Sequence, residues 1–147
     1  MEKRSLNKYI DHTILKPTCL VADIEKLCTE AKQYDFAAVC VPPNFVKLAK
    51  EKLLGSTVQV ATVIGFPFGY SATEAKIAEI ILAMVDGVDE LDVVANISAI
   101  KNGDWSAIAD EINHLMPIIR SKNKLVKIII ESGVLTDDEI IKCCDIY

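Results

Sequence analysis

Two ionisable residues stand where buried strands should be apolar. Asp92 lies within Glu90-Leu-Asp-Val-Val94, and Lys127 lies within Leu125-Val-Lys-Ile-Ile-Ile130. A strand entering a core carries a charge only when something neutralises it or uses it. A carboxylate beside an ammonium in a low-dielectric pocket trades protons and shifts pKa values, which is acid–base chemistry. A structural ion pair has the same composition, so both readings stand at this level. Asp11-His12-Thr13 offers a second polar cluster. It is either a set of groups for substrate hydrogen bonding and proton transfer, or a hydrogen-bonded turn. Cys40 sits in the apolar run Ala37-Ala-Val-Cys-Val41. It points into a pocket or fills core, and small buried thiols more often fill core. His114, beside Leu115 on an amphipathic stretch, reads as a surface residue.

Other chemistries find no support. No His, Cys, Asp and Glu set has metal-ligand spacing, and no Gly-x-Ser-x-Gly is present. The Gly65-Phe-Pro-Phe-Gly69 loop lacks the glycine spacing and the Lys-Ser/Thr ending of a P-loop. A formal charge of −5 without a basic cluster argues against nucleic acid and anionic membranes as partners. No apolar run approaches the roughly 20 residues that span a bilayer. Met1-Glu-Lys-Arg-Ser-Leu-Asn7 has no apolar segment behind it, so no signal peptide is read. The five cysteines, Cys19, Cys28, Cys40, Cys143 and Cys144, fit reduced thiols in a cytoplasmic protein.

The polar residues need strands and helices to hold them. With 147 residues, 51% of them hydrophobic, the chain suits one globular domain, residues 1–147. A helical turn is expected at 5–9, then a short β run over 9–15. Val21, Ile24, Leu27, Cys28 and Ala31 predict a helix over 21–34. Strands follow at 37–41, 58–64, 89–94 and 125–131. Between them, Phe45, Leu48, Ala49 and Leu53 give one helix, closed by Gly55. Ser71-x-x-Glu74 reads as a capping box opening a helix to about Asp86. Asp104 caps a helix whose apolar face includes Ile108, Leu115 and Ile119, with Pro117 late in it. Thr136-x-x-Glu139 is a second capping box before the final helix.

Five β-α units imply a parallel sheet with right-handed crossovers. Periodicity alone leaves two architectures, a doubly wound sheet and part of a (β/α)8 barrel. The polar residues favour the barrel. Asp11, His12, Thr13, Cys40, Thr62, Asp92, Lys127 and Glu131 are spread over all the strands, and a barrel gathers such groups at one mouth. Alternation places Glu90, Asp92 and Val94 on one face, and Lys127, Ile129 and Glu131 on one face of the next strand. Asp92 and Lys127 are thus expected on neighbouring strands, both directed inward.

Five segments together resemble a known family. They are Tyr9-Ile-Asp-His-Thr-Ile-Leu-Lys-Pro17, Ala38-Val-Cys-Val-Pro42, Val63-Ile-Gly-Phe-Pro-Phe-Gly69, Asp89-Glu-Leu-Asp-Val-Val94 and Leu125-Val-Lys-Ile-Ile-Ile-Glu-Ser-Gly-Val-Leu135. In this order and spacing they resemble the 2-deoxyribose-5-phosphate aldolases. The resemblance implies a class I aldolase on a (β/α)8 barrel, with no metal and no organic cofactor. Such an enzyme interconverts 2-deoxyribose 5-phosphate with acetaldehyde and glyceraldehyde 3-phosphate. A lysine on the sixth strand forms the Schiff base, whose protonated imine acts as an electron sink. The resemblance makes Asp92 the fourth-strand aspartate that assists proton transfer, and Lys127 a fifth-strand active-site lysine. It makes Asp11 and Thr13 residues near the substrate, and Cys40 a pocket cysteine.

The resemblance also implies what lies outside these residues. The sequence ends at Cys143-Cys-Asp-Ile-Tyr147, inside the fifth helix. A barrel of this kind needs about 250 residues, about 200 at the low end. The expected fold is therefore an incomplete (β/α)8 TIM barrel, about five βα units, without strands six to eight, the Schiff-base lysine or the phosphate-binding region. The expected consequences are a chain inactive alone, and self-association into a dimer or higher oligomer through the open edges. Two alternatives are a self-assembling non-catalytic half-barrel module and a weak aldolase that recruits Lys127 as its amine.

Overall fold

Each apolar run of the sequence becomes a strand, and each apolar stripe becomes a helix face. In the computed structural model, which describes residues 5–147, the strands are β1 (Asp11–Thr13), β2 (Ala38–Val41), β3 (Gln59–Ile64), β4 (Glu90–Val94) and β5 (Leu125–Ile129). The α-helices are α1 (Val21–Tyr34), α2 (Val46–Lys52), α3 (Thr73–Val85), α4 (Ile97–Lys101), α5 (Trp105–Arg120) and α6 (Asp137–Ile146). The sheet order is β1-β2-β3-β4-β5, with β2 parallel to both of its neighbours. A doubly wound sheet reverses its strand order at the switch point. This order never reverses, so the fold is the sequential βα array of a (β/α)8 barrel, present in part.

The chain forms two compact units. One runs up to Val63 and includes Ala83–Glu90; the other holds Ile64–Leu82 and Leu91–Tyr147. In the first, α1 buries Ile24, Leu27, Cys28 and Ala31, the stripe its spacing predicts. All four residues of β2 are buried, as a strand covered on both faces requires. Each fully buried aliphatic side chain contributes about 1.5–3 kcal/mol. In the second unit Ala95, Ile100, Ile108 and Cys143 form a core with Ile128, Ile130 and Trp105 packed against it. Asp104 caps α5 by accepting the Ala107 N–H at 3.1 Å, and Pro117 stands inside that helix without ending it. Thr136 and Glu139 make the predicted capping box of α6. No helix among the described residues is long and apolar enough to cross a membrane.

Four local expectations are corrected. Ser71 does not cap α3: its hydroxyl is buried without a hydrogen-bond partner. The Ala72 carbonyl takes the first N–H groups, those of Ala75 and Lys76, so the helix starts at Thr73. Glu131 does not continue β5. Its φ of 53° is left-handed, and it leads into a 3-10 turn at Ser132–Val134. The segment before Gly103 is not all loop, because Asn96 accepts the Ala99 N–H and opens α4. Thr62 does not join the mixed polar face. It pairs in register with Val41, one residue past Cys40, and so lies on the opposite face from Cys40.

Candidate active site

The last three residues of β4 and the middle of β5 bring the central pair together. Lys127 Nζ lies 3.1 Å from Asp92 Oδ1. The Asp92 side chain is only 14% exposed, whereas that of Lys127 is 38% exposed. A sheltered carboxylate therefore faces an ammonium that still reaches solvent. A carboxylate and an ammonium in this arrangement have the composition of a proton-transfer pair and equally of a structural ion pair.

Just beyond this pair, the end of β4 is gripped from several directions. Ala95 N–H donates to Ile129 O at 2.9 Å, joining the end of β4 to β5. On the other side of the same peptide, Lys76 Nζ donates to Val94 O at 2.8 Å. That ammonium also meets both carboxylate oxygens of Glu111, at 2.7 and 2.8 Å. Lys76 is fully buried, and the Glu111 side chain is 10% exposed. The Gly65–Gly69 loop lies over this arrangement. A Cβ on Gly65 would come within 2.8 Å of Lys76 Cε, and one on Gly69 within 1.9 Å of Ala95 O. Both glycines have positive φ, so the close approach and the turn both require glycine. Gly65 N–H donates to Glu79 Oε2 at 2.7 Å, which ties the loop to α3.

Within the first unit, register pairs Asp11 with Ala38, and Thr13 with Cys40. Asp11, Thr13 and Cys40 therefore share one face of the sheet. Thr13 Oγ1 donates to the Asp11 carbonyl at 2.8 Å, and Cys40 is buried. His12 points the other way, toward α1. Its Nε2 lies 2.8 Å from Glu30 Oε2, and its ring tilts against Phe36. The hydrogen bond from His12 holds the Glu30 carboxyl below the usual glutamate range. The Asp11-His12-Thr13 cluster is thus divided between two faces. His114 is exposed, as expected, with Nδ1 2.6 Å from Asp110 O.

Three groups escape the sequence reading. Lys76 and Glu111 occupy core positions of α3 and α5. The buried stripe Ile80 and Ala83, carried back one turn, lands on Lys76, and Glu111 stands between Ile108 and Leu115 on theirs. Extending the apolar stripes through charged positions would have found both. Asp89 is the third. It accepts Lys50 Nζ at 2.8 Å and the Val60 N–H at 2.9 Å, fixing the start of β4. Burial raises the thiol pKa values of Cys28 and Cys143, so both are poor nucleophiles. No group of three or more His, Cys, Asp or Glu among the described residues is placed to hold a metal ion.

No protein-family model matches the chain. It is 49% identical over 139 residues to a deoxyribose-phosphate aldolase from Clostridium botulinum, covering 95% of this chain and 65% of that protein. A deoxyribose-phosphate aldolase from Caldicellulosiruptor saccharolyticus is 48% identical over 147 residues, with 99% and 67% covered. The chain thus spans about two thirds of the length of the curated relatives it matches. Among solved structures, the aldolase QR15 superposes with a TM-score of 0.88 at 34% identity, over 98% of this chain and 63% of that one. The tetrameric deoxyribose phosphate aldolase of Aeropyrum pernix gives 0.83 at 28% identity, over 95% and 58%.

Proposed function

Because the chain belongs to the deoxyribose-phosphate aldolase family, we propose that it supplies one part of an aldolase site acting on 2-deoxyribose 5-phosphate. The reaction is reversible cleavage to acetaldehyde and glyceraldehyde 3-phosphate. One observation carries the proposal: the 3.1 Å contact between Asp92 and Lys127, with the carboxylate sheltered and the amine accessible. In the family's chemistry an imine draws electrons from the adjacent carbon, a proton leaves that carbon, and an enamine forms. Asp92 serves as a proton-transfer group in that step, and Lys127 as its charged neighbour. Asp11, Thr13 and Cys40 act on the substrate side. The imine-forming lysine of the family belongs to a sixth strand. Within these 147 residues the pair is therefore the proton-transfer part of the site, in a single partial barrel without catalysis of its own. A reducing, cytoplasmic setting fits the five free thiols.

A chimera tests this reading. The chain is fused to the remaining C-terminal third of the Clostridium botulinum relative, and cleavage of 2-deoxyribose 5-phosphate is followed. The chimera should be active, and Asp92→Asn should lower kcat by about 100-fold or more, the usual weight of a general acid–base group. A folded but inactive chimera, or an Asp92→Asn form as active as its parent, overturns the reading.

The sheet edges extend the proposal to assembly. β1 and β5 are the outer strands of the five, and β5 has no fully buried residue, whereas β2 is buried throughout. An outer strand offers unpaired backbone groups to another copy. The chain alone should therefore run as a dimer or larger in light scattering at micromolar concentration. A monomer there rejects this part of the proposal.

A further inference from the structure

We propose that Lys76 is a positioning residue for the Asp92–Lys127 pair: its ammonium, neutralised by Glu111, holds the Val94–Ala95 peptide and thereby fixes β4 against β5 where the pair meets. The inference rests on the reading of that pair as part of the site.

Three observations converge on one peptide group. Its carbonyl accepts Lys76 Nζ at 2.8 Å. Its N–H donates to Ile129 O at 2.9 Å. The loop backbone at Gly69 presses so close that a Cβ there would be 2.7 Å from the same carbonyl, Val94 O. Asp92 lies two residues before Val94 on β4, and Lys127 lies two residues before Ile129 on β5. Two residues of strand span about 7 Å. The gripped peptide thus lies two residues beyond the pair on both strands, at the end of the β4–β5 ladder. An ammonium on the carbonyl also polarises the peptide and strengthens the bond that its N–H donates. A small shift at the end of β4 relative to β5 would lengthen the 3.1 Å contact.

Stability alone does not account for the lysine. Burying an ion costs several kcal/mol, and an apolar pair of similar volume is often as stable or more so. α3 also had a place to put a lysine in water. Its outward side exposes Ala75, Ala78 and Leu82, while Lys76 turns inward with Ile80 and Ala83. The helix exposes apolar side chains and buries its one cation. The buried end of that cation touches Glu111 and the last carbonyl of the strand bearing Asp92. Because Glu111 takes both of its oxygens to the same ammonium, the charge is balanced on the spot. A neutralised ammonium donates a directed hydrogen bond to Val94 O without placing an unpaired charge near Asp92.

The test separates position from stability. In the double variant Lys76→Met/Glu111→Met the core is filled with apolar atoms, and only the clamp on Val94 O is lost. Lysines of the chain are labelled competitively with acetic anhydride, and each site is quantified by mass spectrometry, with exposed Lys26 as the internal reference. Folding is checked by the urea midpoint. The double variant should remain folded, and Lys127 should label faster relative to Lys26 by about twofold or more, the lower end of coupling within one network. Asp92→Asn should release Lys127 to a similar degree in the parent chain, and should add little in the double variant. A folded double variant with unchanged Lys127 labelling overturns the proposal. So does an effect of Asp92→Asn that simply adds. Failure of the double variant to fold also overturns it, by making the charged pair a requirement of the core. An inactive chimera would remove the aldolase reading without altering these rates, and unchanged rates beside an active chimera would remove only the clamp.

Discussion

Two lysine–carboxylate pairs in the same unit have similar geometry and opposite surroundings. Lys76 and Glu111 meet at 2.7 Å with the lysine fully buried and the glutamate side chain 10% exposed. Lys127 and Asp92 meet at 3.1 Å with side chains 38% and 14% exposed. The first pair is sealed between α3, α5 and the end of β4. Removing either side chain would strand the other's charge in a poor solvent. The second pair keeps its lysine in reach of water. Its charges are therefore open to screening by solvent and ions. The same two functional groups are therefore sealed in one place and open in the other, and that solvent access is what the proposed proton-transfer role of Asp92 and Lys127 requires.

The contrast breaks most visibly at Lys76. Lys76→Met alone leaves Glu111 buried among apolar groups with no cation. Removing one partner of a buried pair costs about 3–5 kcal/mol. The corresponding change at the open pair, Lys127→Met, takes a half-exposed ammonium from a carboxylate that still has some access to water, and should cost less, about 1–3 kcal/mol. Urea unfolding of the two variants side by side measures the difference. Equal losses would mean that the open pair is as enclosed as the sealed one, and the division of roles would fail.

What the sequence reveals follows the same division. Asp92 and Lys127 are legible because each interrupts an apolar strand, and strand alternation tells which face carries it. α1 is legible to the residue, 21–34, because its stripe is unbroken. Lys76 and Glu111 are hidden by the habit of assigning every charge on a helix to its wet face. Their partners are 35 residues apart, and nothing local links them. α4 is hidden because five residues are too few to show a helical period. Ser71 misleads because a capping residue works only from the position next to the first turn, and Ala72 holds that position. Sequential strand order is the point at which the coordinates add most. Both the barrel and the doubly wound sheet share the β-α alternation, and only hydrogen-bonded neighbours distinguish them.

A third pair extends the comparison to the solvent-exposed end, where the expected effect is smallest. Lys101 Nζ lies 2.8 Å from Glu139 Oε2, and the same carboxylate accepts the Thr136 N–H at 2.7 Å. The Lys101 contact, then the Thr136 N–H, holds the Glu139 carboxyl below the usual glutamate range. A carboxyl lowered in the folded state binds its proton less readily there than in the unfolded chain. Its contribution is therefore whole above the ordinary glutamate range and is lost as pH falls through the lowered folded value. The start of α6, where this carboxylate closes the capping box, should keep its amide protection as other carboxylates begin to protonate. It should then fray at lower pH. Lys101→Gln removes the largest cause, so fraying should begin at higher pH, nearer the ordinary glutamate value. Amide exchange at Glu139 and Ile140, followed on acidification, reads both midpoints. Coincident midpoints would show that the exposed lysine is screened to no effect, and that the capping bond to Thr136 alone sets the behaviour of this carboxylate.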